Sequence, residues 1–395
     1  MSKILVETSG EMSKVPFLRG ILIRSLQDSG INFDDALEFA TAIRSELDDT
    51  SVITTDELRN MVISRLKRSF RADLVQRYEE RKLPFMIQIE SSDGQVTAFS
   101  LSEYCKCLET IGLKADEAKS VAETVNAHLI KRETGIIKSS YIAYFTYRLL
   151  RKLKQFGPAV AHRWLVWRDF ITSGRSIIFM IGGTAGCGKS TTATDLASRL
   201  NIVRTQSTDM LREVMRVMVP RHLQPMLYES SYTAWKKLPY ASNSQKMQEE
   251  LLIDGYCAQA DIMLVAIRAV IQRALRENVS LILEGVHVHP AYVENLVGSS
   301  ETIVIPIMLG VIKRKKLQRR ISGRSTKVPQ RRAAKYLKNF DNIWGIQTYL
   351  LSEADKVDCT IIINDSRDDV LREIMLTTIN KLAEDFDKTP AQVFA

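Results

Sequence analysis

The stretch Gly183-Thr184-Ala185-Gly186-Cys187-Gly188-Lys189-Ser190 decides the fold of the C-terminal half of this 395-residue chain. It has the spacing G-x-x-x-x-G-K-S, follows a short β-rich run at 176–181 and precedes a helical pattern at 190–200. Glycines let such a turn bend tightly and aim several backbone N–H groups inward, and the helix N-terminus adds positive partial charge. A strand, a turn of this spacing and a helix, in that order, predict a phosphate-binding loop rather than a chance Gly-rich turn.

The loop indicates ATP and Mg²⁺ as its ligands. Lys189 is expected to reach the β- and γ-phosphates, and Ser190 is expected to ligate Mg²⁺. Cys187 stands at a variable position of the pattern and is interpreted as filler, not as a nucleophile. Thr191 is expected near the α-phosphate. The predicted ATP-binding residues are Gly183, Thr184, Ala185, Gly186, Cys187, Gly188, Lys189, Ser190 and Thr191.

Four further β-rich runs follow the loop, at 202–206, 281–283, 302–308 and 360–363. Strands that alternate with helices predict an α/β domain, here 176–395, in which a parallel sheet is covered by helices on both faces. Such sheets bind ligands at the carboxyl ends of their strands. The residues that follow each strand are therefore the candidate site residues of a P-loop kinase domain.

Polar residues follow the second strand candidate. Asp209 is placed to orient or deprotonate an acceptor hydroxyl, which a small-molecule kinase requires. The alternative is that Thr208 or Asp209 caps the helix that begins there. Arg212 and Arg216 are four residues apart and share one helix face, so they suit an anionic acceptor, although a solvated face explains Arg216 almost as well.

The third strand candidate ends in Glu284-Gly285-Val286-His287. Glu284 is expected to act on Mg²⁺ or the acceptor, and Gly285 is expected to leave room for substrate. His287 is a candidate substrate contact, although such a histidine is more often structural. A histidine metal site is not predicted, because no third ligand stands nearby. After the last strand, Asn364-Asp365-Ser366 is a weaker candidate for the adenine pocket.

The basic residues of the chain are concentrated in one segment. Residues 313–338 carry twelve Lys and Arg and no acid, which exceeds the formal net charge of +9. The segment lies between the fourth and fifth strand candidates, where a mobile lid would bring arginines to the transferring phosphoryl group. Candidates are Arg319, Arg320 and Arg324. An RNA-binding patch is the alternative, but the segment has a single aromatic residue, Tyr336, on which a base could stack.

Composition narrows the class of protein. The chain is 45% hydrophobic and 26% charged, as in water-soluble globular proteins. No apolar run reaches the ~18–20 residues of a membrane span, and the N-terminus lacks a secretion-signal pattern. A cytoplasmic location without a membrane partner is expected. The five cysteines are scattered and odd in number, so neither a disulfide framework nor a zinc site is predicted.

The N-terminal half contains an internal repeat at an offset of 82 residues. Two mostly helical modules are predicted, at 1–90 and 91–155, joined by a linker helix at 156–175 to the domain at 176–395. The matching pairs are Phe17 with Phe99, Leu26 with Leu108, Gly30 with Gly112, Ala36 with Ala118, Ala40 with Ala122 and Leu47 with Leu129.

Four stretches of the second half resemble the archaeal-type 2-phosphoglycerate kinase family. They are 182–191 (GGTAGCGKST), 207–216 (STDMLREVMR), 230–235 (SSYTAW) and 284–287 (EGVH). The resemblance implies phosphorylation of 2-phosphoglycerate by ATP to give 2,3-bisphosphoglycerate. It also implies that Asp209, Arg212, Arg216, Ser231 and Tyr232 lie toward the acceptor.

The stretch 15–26 (VPFLRGILIRSL) resembles the start of the ATP-cone module that precedes the kinase domain in this family. Neither copy has the Lys-Arg pair before an Asp-Gly turn that such modules usually carry. The modules are therefore expected to serve assembly, with a homo-oligomer as the possible partner state.

Three functions stay open on the sequence alone. The first is a kinase for 2-phosphoglycerate or for another small anionic acceptor, such as an inositol phosphate or a hydroxy acid. The second is an RNA-associated P-loop protein, and the third is a nucleotide-sensing regulator without catalysis. The order of phosphate loop, Asp209, Glu284 and basic segment favours the kinase, with no nucleic-acid partner.

Overall fold

The structure is a computed structural model that divides the chain into two compact units, Met1–Met86 and Ile87–Ala395. It describes residues 4–7, 14–29, 31–47, 51–70, 72–80, 87–91, 93–130, 132, 136–243, 245–293, 296, 302–323 and 330–394.

The first unit is a small α/β module with its own core. Its sheet has the order β2-β1-β3, with β1 antiparallel to β2 and parallel to β3. Thr54 and Glu57 form a capping box that starts α3. The elements are β1 Leu5–Glu7, β2 Lys14–Pro16, α1 Arg19–Asp28, α2 Phe33–Glu46, β3 Val52–Thr54, α3 Thr55–Ser69 and α4 Ala72–Glu80.

The second unit begins with a module of the same topology. Strand β4 pairs antiparallel with β5 and parallel with β6, in the order β5-β4-β6. Residues that match across the repeat, such as Leu26 and Leu108 or Ala40 and Ala122, are fully buried in both modules. The two repeated segments therefore share the same arrangement of strands and the same buried positions. The elements are β4 Gln88–Glu90, β5 Val96–Ala98, α5 Leu101–Glu109, α6 Ala115–Ile130, β6 Ile136–Lys138 and α7 Ser139–Lys152.

The predicted boundary at residue 90 does not separate the modules. Strand β4, which ends at Glu90, is the central strand of the second module, so this module begins at Ile87. Nor is the second module a separate domain, because its apolar residues belong to one hydrophobic core with the rest of the unit. The predicted linker is helix α8, Gly157–Ser173, and it lies in that core with Trp164 1% exposed.

The remainder of the second unit is a five-stranded parallel sheet with helices around it, as the sequence predicts. The strand order is β11-β10-β7-β9-β8. Every residue of the central strand β7 is buried, because helices cover both faces. The elements are β7 Ile177–Gly182, α9 Lys189–Leu200, β8 Thr205–Ser207, α10 Thr208–Met218, α11 Gln248–Arg276, β9 Leu281–Gly285, β10 Ile303–Gly310, α12 Arg314–Gly323, α13 Gln330–Lys338, α14 Phe340–Lys356, β11 Thr360–Ile363, α15 Arg367–Leu382 and α16 Pro390–Val393.

The strand register gathers the candidate residues at one edge of the sheet. Gly182 of β7 is paired with Gly285 of β9, and Ser207 of β8 is paired with Glu284. The loop after β7, the start of α10 and the end of β9 therefore adjoin one another. None of the helices in the described ranges combines the length and hydropathy that a membrane crossing requires.

Candidate active site

The loop 183–190 has the backbone of a phosphate cradle. Gly186 and Gly188 both have φ of +91°, a conformation that side chains rarely adopt. A Cβ at Gly188 would lie 2.4 Å from Nδ2 of Asn364, and a Cβ at Gly186 would lie 2.8 Å from Cδ1 of Leu317. Both glycines are required by backbone conformation and by close approach of neighbouring side chains.

Lys189 and Ser190 begin α9 at the mouth of the cradle. Lys189 is 9% exposed, and its Nζ donates a hydrogen bond of 2.9 Å to the carbonyl of Thr184 within the loop. The Ser190 hydroxyl donates a hydrogen bond of 2.9 Å to Oε1 of Glu284, which ends β9. Two hard oxygen ligands thus lie side by side at the head of the loop. This donor set fits Mg²⁺, which proteins bind through one or two oxygens together with substrate phosphates.

Cys187 is fully buried below the cradle. Its thiol donates to Oε1 of Gln347, at 3.2 Å, and lies 3.3 Å from Oγ1 of Thr184. Gln347 also accepts from the N–H of Val311 and donates to its carbonyl, at 3.1 and 3.0 Å. Cys187 therefore ties the loop to α14 and to the end of β10, a structural position like the one assigned to it from sequence.

Helix α10 presents Asp209 and Arg212 next to the loop. Ser207 is the N-cap, and its Oγ accepts from the N–H of Asp209 at 3.3 Å, so the alternative role of Asp209 as the cap is excluded. The Asp209 side chain is 64% exposed, and its Oδ1 lies 3.2 Å from Nη2 of Arg212.

Arg212 and Arg216 differ sharply in their bonding. The Arg212 side chain is 12% exposed, and its Nε has no hydrogen-bond acceptor among the described residues. Burial lowers the pKa of its guanidinium, which the Asp209 carboxylate opposes. Arg216 instead donates to the carbonyls of Leu227 and Glu229, at 2.5 and 3.4 Å. Both arginines thus hold the 225–229 turn, because Nη1 of Arg212 also donates to the carbonyl of Glu229 at 3.3 Å. Arg212 differs in its buried Nε, which has no acceptor among the described residues.

His287 is buried between β9 and its neighbours. Its Nδ1 lies 3.1 Å from Oγ1 of Thr208, and its Nε2 lies 3.1 Å from Oε1 of Gln259. Burial lowers the pKa of His287 to about 3, and the positive charge of Arg212 acts in the same direction. His287 is therefore a neutral residue with both ring nitrogens occupied by protein groups, not a side chain directed at substrate.

The expectation that Gly285 leaves room for substrate is wrong. A Cβ at this position would lie 1.7 Å from Oγ1 of Thr208. The space is taken by the first residue of α10, and the glycine allows that helix to approach the end of β9.

Ser231 and Tyr232 are buried, and they closely follow Glu229, whose carbonyl accepts from Nη1 of Arg212 at 3.3 Å. The carbonyl of Tyr232 accepts from Nδ2 of Asn342 at 3.0 Å, and its ring lies 5.6 Å from the ring of Tyr336 on α13. Burial raises the pKa of Tyr232. The charge of Asp209 acts in the same direction, and the charge of Arg212 opposes it. Tyr336 was not predicted as a site residue, although its position as the single aromatic residue of the basic segment was a signal.

The basic segment forms helices α12 and α13 within the described residues. Arg320 of α12 donates to Oδ1 of Asn364 at 3.3 Å. A cavity of about 570 Å³ adjoins it, lined by Lys313, Lys316, Arg319, Arg320 and Asp365. Arg324 lies outside the described residues, so its predicted role stays a prediction.

Asn364 has a different position from the one expected for an adenine contact. Its Nδ2 donates to the carbonyl of Cys187 at 2.7 Å, so the side chain is directed at the phosphate loop. The position of Asn364 directly after the last strand indicated a residue near the site, but the sequence does not reveal its bond to Cys187.

The sheet order, the Gly-rich loop and the Ser190–Glu284 pair define an α/β protein of the P-loop class. No protein-family model matches the chain. The 2-phosphoglycerate kinase of Pyrococcus horikoshii is 32% identical over 296 residues, which is 75% of this chain and 94% of that protein. The same-named protein of Methanothermobacter thermautotrophicus is 31% identical, over 77% of this chain and 99% of its own. The chain belongs to the 2-phosphoglycerate kinase family.

A further relative and one solved structure are similar to parts of this chain. The 2-phosphoglycerate kinase of Pyrococcus furiosus is 31% identical over 76% of this chain and 95% of that protein. An uncharacterized protein from Eubacterium ventriosum has a solved structure that covers 52% of this chain at 16% identity, with a TM-score of 0.28.

Proposed function

We propose that the chain transfers the γ-phosphoryl group of ATP to the C3 hydroxyl of 2-phosphoglycerate, which gives ADP and 2,3-bisphosphoglycerate. One observation carries the proposal. The Gly-rich loop 183–190 and Arg212, whose buried Nε has no acceptor among the described residues, adjoin each other at one edge of the sheet. The relatives named for this activity support the same acceptor.

The donor side is built from the loop and β9. Lys189 donates to the Thr184 carbonyl, and phosphate oxygens of bound ATP would replace that carbonyl as its acceptor. Ser190 and Glu284 are the residues that would hold Mg²⁺. Bound there, the cation supplies positive charge to the β- and γ-phosphate oxygens.

The acceptor side is built from α10 and the 230–233 turn. Because 2-phosphoglycerate carries a phosphate and a carboxylate, its site requires fixed cationic donors, and the planar fork of Arg212 suits the phosphate. Ser231 and Tyr232 form the wall beside it. Asp209 takes the C3 hydroxyl proton as that oxygen attacks the γ-phosphorus. The bond from phosphorus to the β–γ bridging oxygen breaks, and ADP leaves.

The basic segment fits a lid better than an RNA surface. Several of its side chains have partners within the domain. Arg314 pairs with Asp341, Lys316 pairs with Asp365, and Arg320 donates to Asn364. These partners hold α12 against the phosphate loop, where Arg320 is placed to offset negative charge on the transferring group.

A panel of acceptors tests the proposal. Purified chain with Mg·ATP is given 2-phosphoglycerate, 3-phosphoglycerate, glycerate, an inositol phosphate or a short RNA, and ADP release is followed. We expect turnover to depend on 2-phosphoglycerate and to be lost in Lys189→Ala, with the circular dichroism unchanged. Preference for glycerate, the inositol phosphate or RNA, or no acceptor-dependent release, would refute the proposal.

A further inference from the structure

Asn364 connects the phosphate loop to the lid helix. It is 8% exposed and stands directly after β11, where its own N–H donates to the carbonyl of Gly310 at 2.8 Å. Its side-chain Nδ2 donates to the carbonyl of Cys187 at 2.7 Å, and its Oδ1 accepts from Nη2 of Arg320 at 3.3 Å. One short side chain therefore bonds the loop on one side and the lid arginine on the other.

The bond to Cys187 fixes the direction of a peptide group. The peptide between Cys187 and Gly188 is trans and planar, so its N–H points away from its carbonyl. Since the carbonyl is held by Asn364, the N–H of Gly188 is turned to the opposite side, toward the cradle. A phosphate cradle works only when its amides point inward and its carbonyls point outward.

Glycine at 188 is part of the same arrangement. Its φ of +91° places the peptide in this orientation, and any Cβ would meet Nδ2 of Asn364 at 2.4 Å. The close approach leaves no space for water between the amide and the loop. The contact is therefore direct and short, and it depends on the donor character of the Asn364 amide.

We propose that Asn364 is a positioning residue, which turns the Gly188 N–H toward the bound phosphate and holds Arg320 at the edge of the loop. The inference rests on the proposed function, because it assumes that a nucleotide phosphate occupies the cradle. It assigns to Asn364 control of nucleotide affinity and of the lid arginine, with no contact to the acceptor.

Two substitutions separate the two bonds. Asn364→Asp keeps an oxygen that can accept from Arg320. It places its second oxygen against the Cys187 carbonyl, so repulsion replaces the hydrogen bond to Cys187. Asn364→Ala removes both bonds. The matched control is Asn278→Asp, because Nδ2 of Asn278 donates to the carbonyl of Gly174 at 3.2 Å, at the amino ends of the strands.

Binding of a non-hydrolysable ATP analogue with Mg²⁺ is measured by calorimetry, together with kcat and both KM values. We expect each Asn364 variant to bind the analogue about tenfold more weakly, the usual effect of a lost buried hydrogen bond. The KM for ATP rises, the KM for the acceptor is unchanged, and Asn278→Asp behaves as the parent. Parent-like analogue affinity in both Asn364 variants would overturn the inference.

A pH series distinguishes positioning from simple packing. When the carboxyl introduced by Asn364→Asp gains a proton, it can again donate to the Cys187 carbonyl. Its defect in analogue binding should therefore shrink on acidification, whereas the defect of Asn364→Ala should not. If the two defects keep a constant ratio across pH, the amide is not acting as the donor and the inference fails.

The bond to Arg320 is tested by a double-mutant cycle on kcat with Arg320→Ala. Combined with Asn364→Ala, the loss should be smaller than the product of the single losses. Independent, multiplying losses would overturn the connection to the lid. A parent chain that binds the analogue but phosphorylates no acceptor would refute the proposed function, and the inference on Asn364 would still be decided by the binding data.

Discussion

The two arginines of α10 show how residues of one type and one spacing acquire different tasks. Nε and Nη2 of Arg216 donate to the carbonyls of Leu227 and Glu229, whereas the buried Nε of Arg212 has no acceptor in the part of the chain that the structure describes. A buried N–H group that lacks an acceptor costs free energy unless a ligand provides one. The spacing alone predicted a shared face, and only the bonding separates the ligand candidate from the structural anchor.

Substitution of each arginine should therefore affect a different quantity. Arg212→Ala is expected to raise the KM for the acceptor about tenfold or more, with little change in stability, because a charge-assisted bond to substrate is lost. Arg216→Ala is expected to lower the free energy of unfolding by about 1–3 kcal/mol, because the carbonyl of the buried Leu227 loses its donor. Steady-state kinetics and urea unfolding measure the two effects. The reverse pattern would exchange the two assignments.

His287 should make the second unit sensitive to acid. Burial lowers its pKa from 6.5 to about 3. Between about pH 3 and 6.5, the unfolded chain binds a proton at His287 that the folded chain does not bind. The stability that neutral His287 contributes is therefore fully present above pH 6.5 and is lost as the pH falls below it. At about pH 5 the loss is about 2 kcal/mol relative to neutral pH.

His287→Asn provides the comparison. This variant is expected to be less stable at neutral pH but to lose about 2 kcal/mol less on acidification to about pH 5. Urea unfolding followed by tryptophan fluorescence is suitable, because all four tryptophans lie in the second unit. Equal acid losses in the two proteins would show that His287 is not the group responsible.

At the scale of elements, the lid helix packs directly on the phosphate loop. Leu317 and Ile321 of α12 are buried, and a Cβ at Gly186 would lie 2.8 Å from Cδ1 of Leu317 and 2.9 Å from Cγ1 of Ile321. The loop and the lid thus share an apolar contact as well as the bond between Asn364 and Arg320. Movement of α12 and the geometry of the loop are therefore coupled.

Gly186→Ala should disturb both elements at once. We expect a loss of nucleotide affinity and a drop of roughly 1–3 kcal/mol in the free energy of unfolding, because φ of +91° strains alanine and its methyl group displaces α12. The matched control is Gly323→Ala at the end of the same helix, where a Cβ meets no atom within 4 Å. Calorimetry of nucleotide binding and urea unfolding should show a defect in Gly186→Ala but not in Gly323→Ala. Equal affinities and stabilities of the two variants would contradict the contact between the loop and α12.

The sequence predicted the elements better than their contacts. All five strands of the parallel sheet occur near the predicted positions, because β-branched runs between helical patterns are a local signal. The contact of Thr208 with Gly285 joins residues 77 positions apart, and the bond of Asn364 to Cys187 joins residues 177 positions apart. Such contacts depend on tertiary packing, which no local pattern encodes. The site could therefore be placed at the correct sheet edge without the roles of Gly285 or Asn364.

At the scale of the whole molecule, the two repeated modules differ in whether they have a hydrophobic core of their own. The first has its own core within Met1–Met86. The second shares its core with the sheet, and polar contacts reinforce the packing. Nε1 of Trp164 donates to the carbonyl of Ala143 at 2.9 Å, and Arg199 of α9 pairs with Glu109 of α5 at 2.7 Å. The helix that begins at Lys189 is thereby braced by the second module.

Two truncations should separate these roles. A chain of residues 87–395 is expected to fold and to keep its turnover, because it retains all the hydrophobic clusters of the second unit. A chain of residues 156–395 is expected to aggregate or to unfold at low denaturant, because the apolar side of α8 loses its cover. Circular dichroism and turnover decide between them. An active, stable 156–395 chain would show that the second module is dispensable.

We propose that the first module serves assembly. Light scattering of the full chain and of residues 87–395 measures this directly. A homo-oligomer that becomes a monomer after truncation supports the role, and an unchanged number of subunits contradicts it.

The most direct measurement of the central claim follows the transferred group itself. Purified chain, Mg·ATP and 2-phosphoglycerate are monitored by phosphorus NMR. We expect the γ-phosphate signal of ATP to decrease as a second phosphomonoester appears on the same glycerate, at equal rates. Conversion of the γ-phosphate to inorganic phosphate, with 2-phosphoglycerate unchanged, would contradict it.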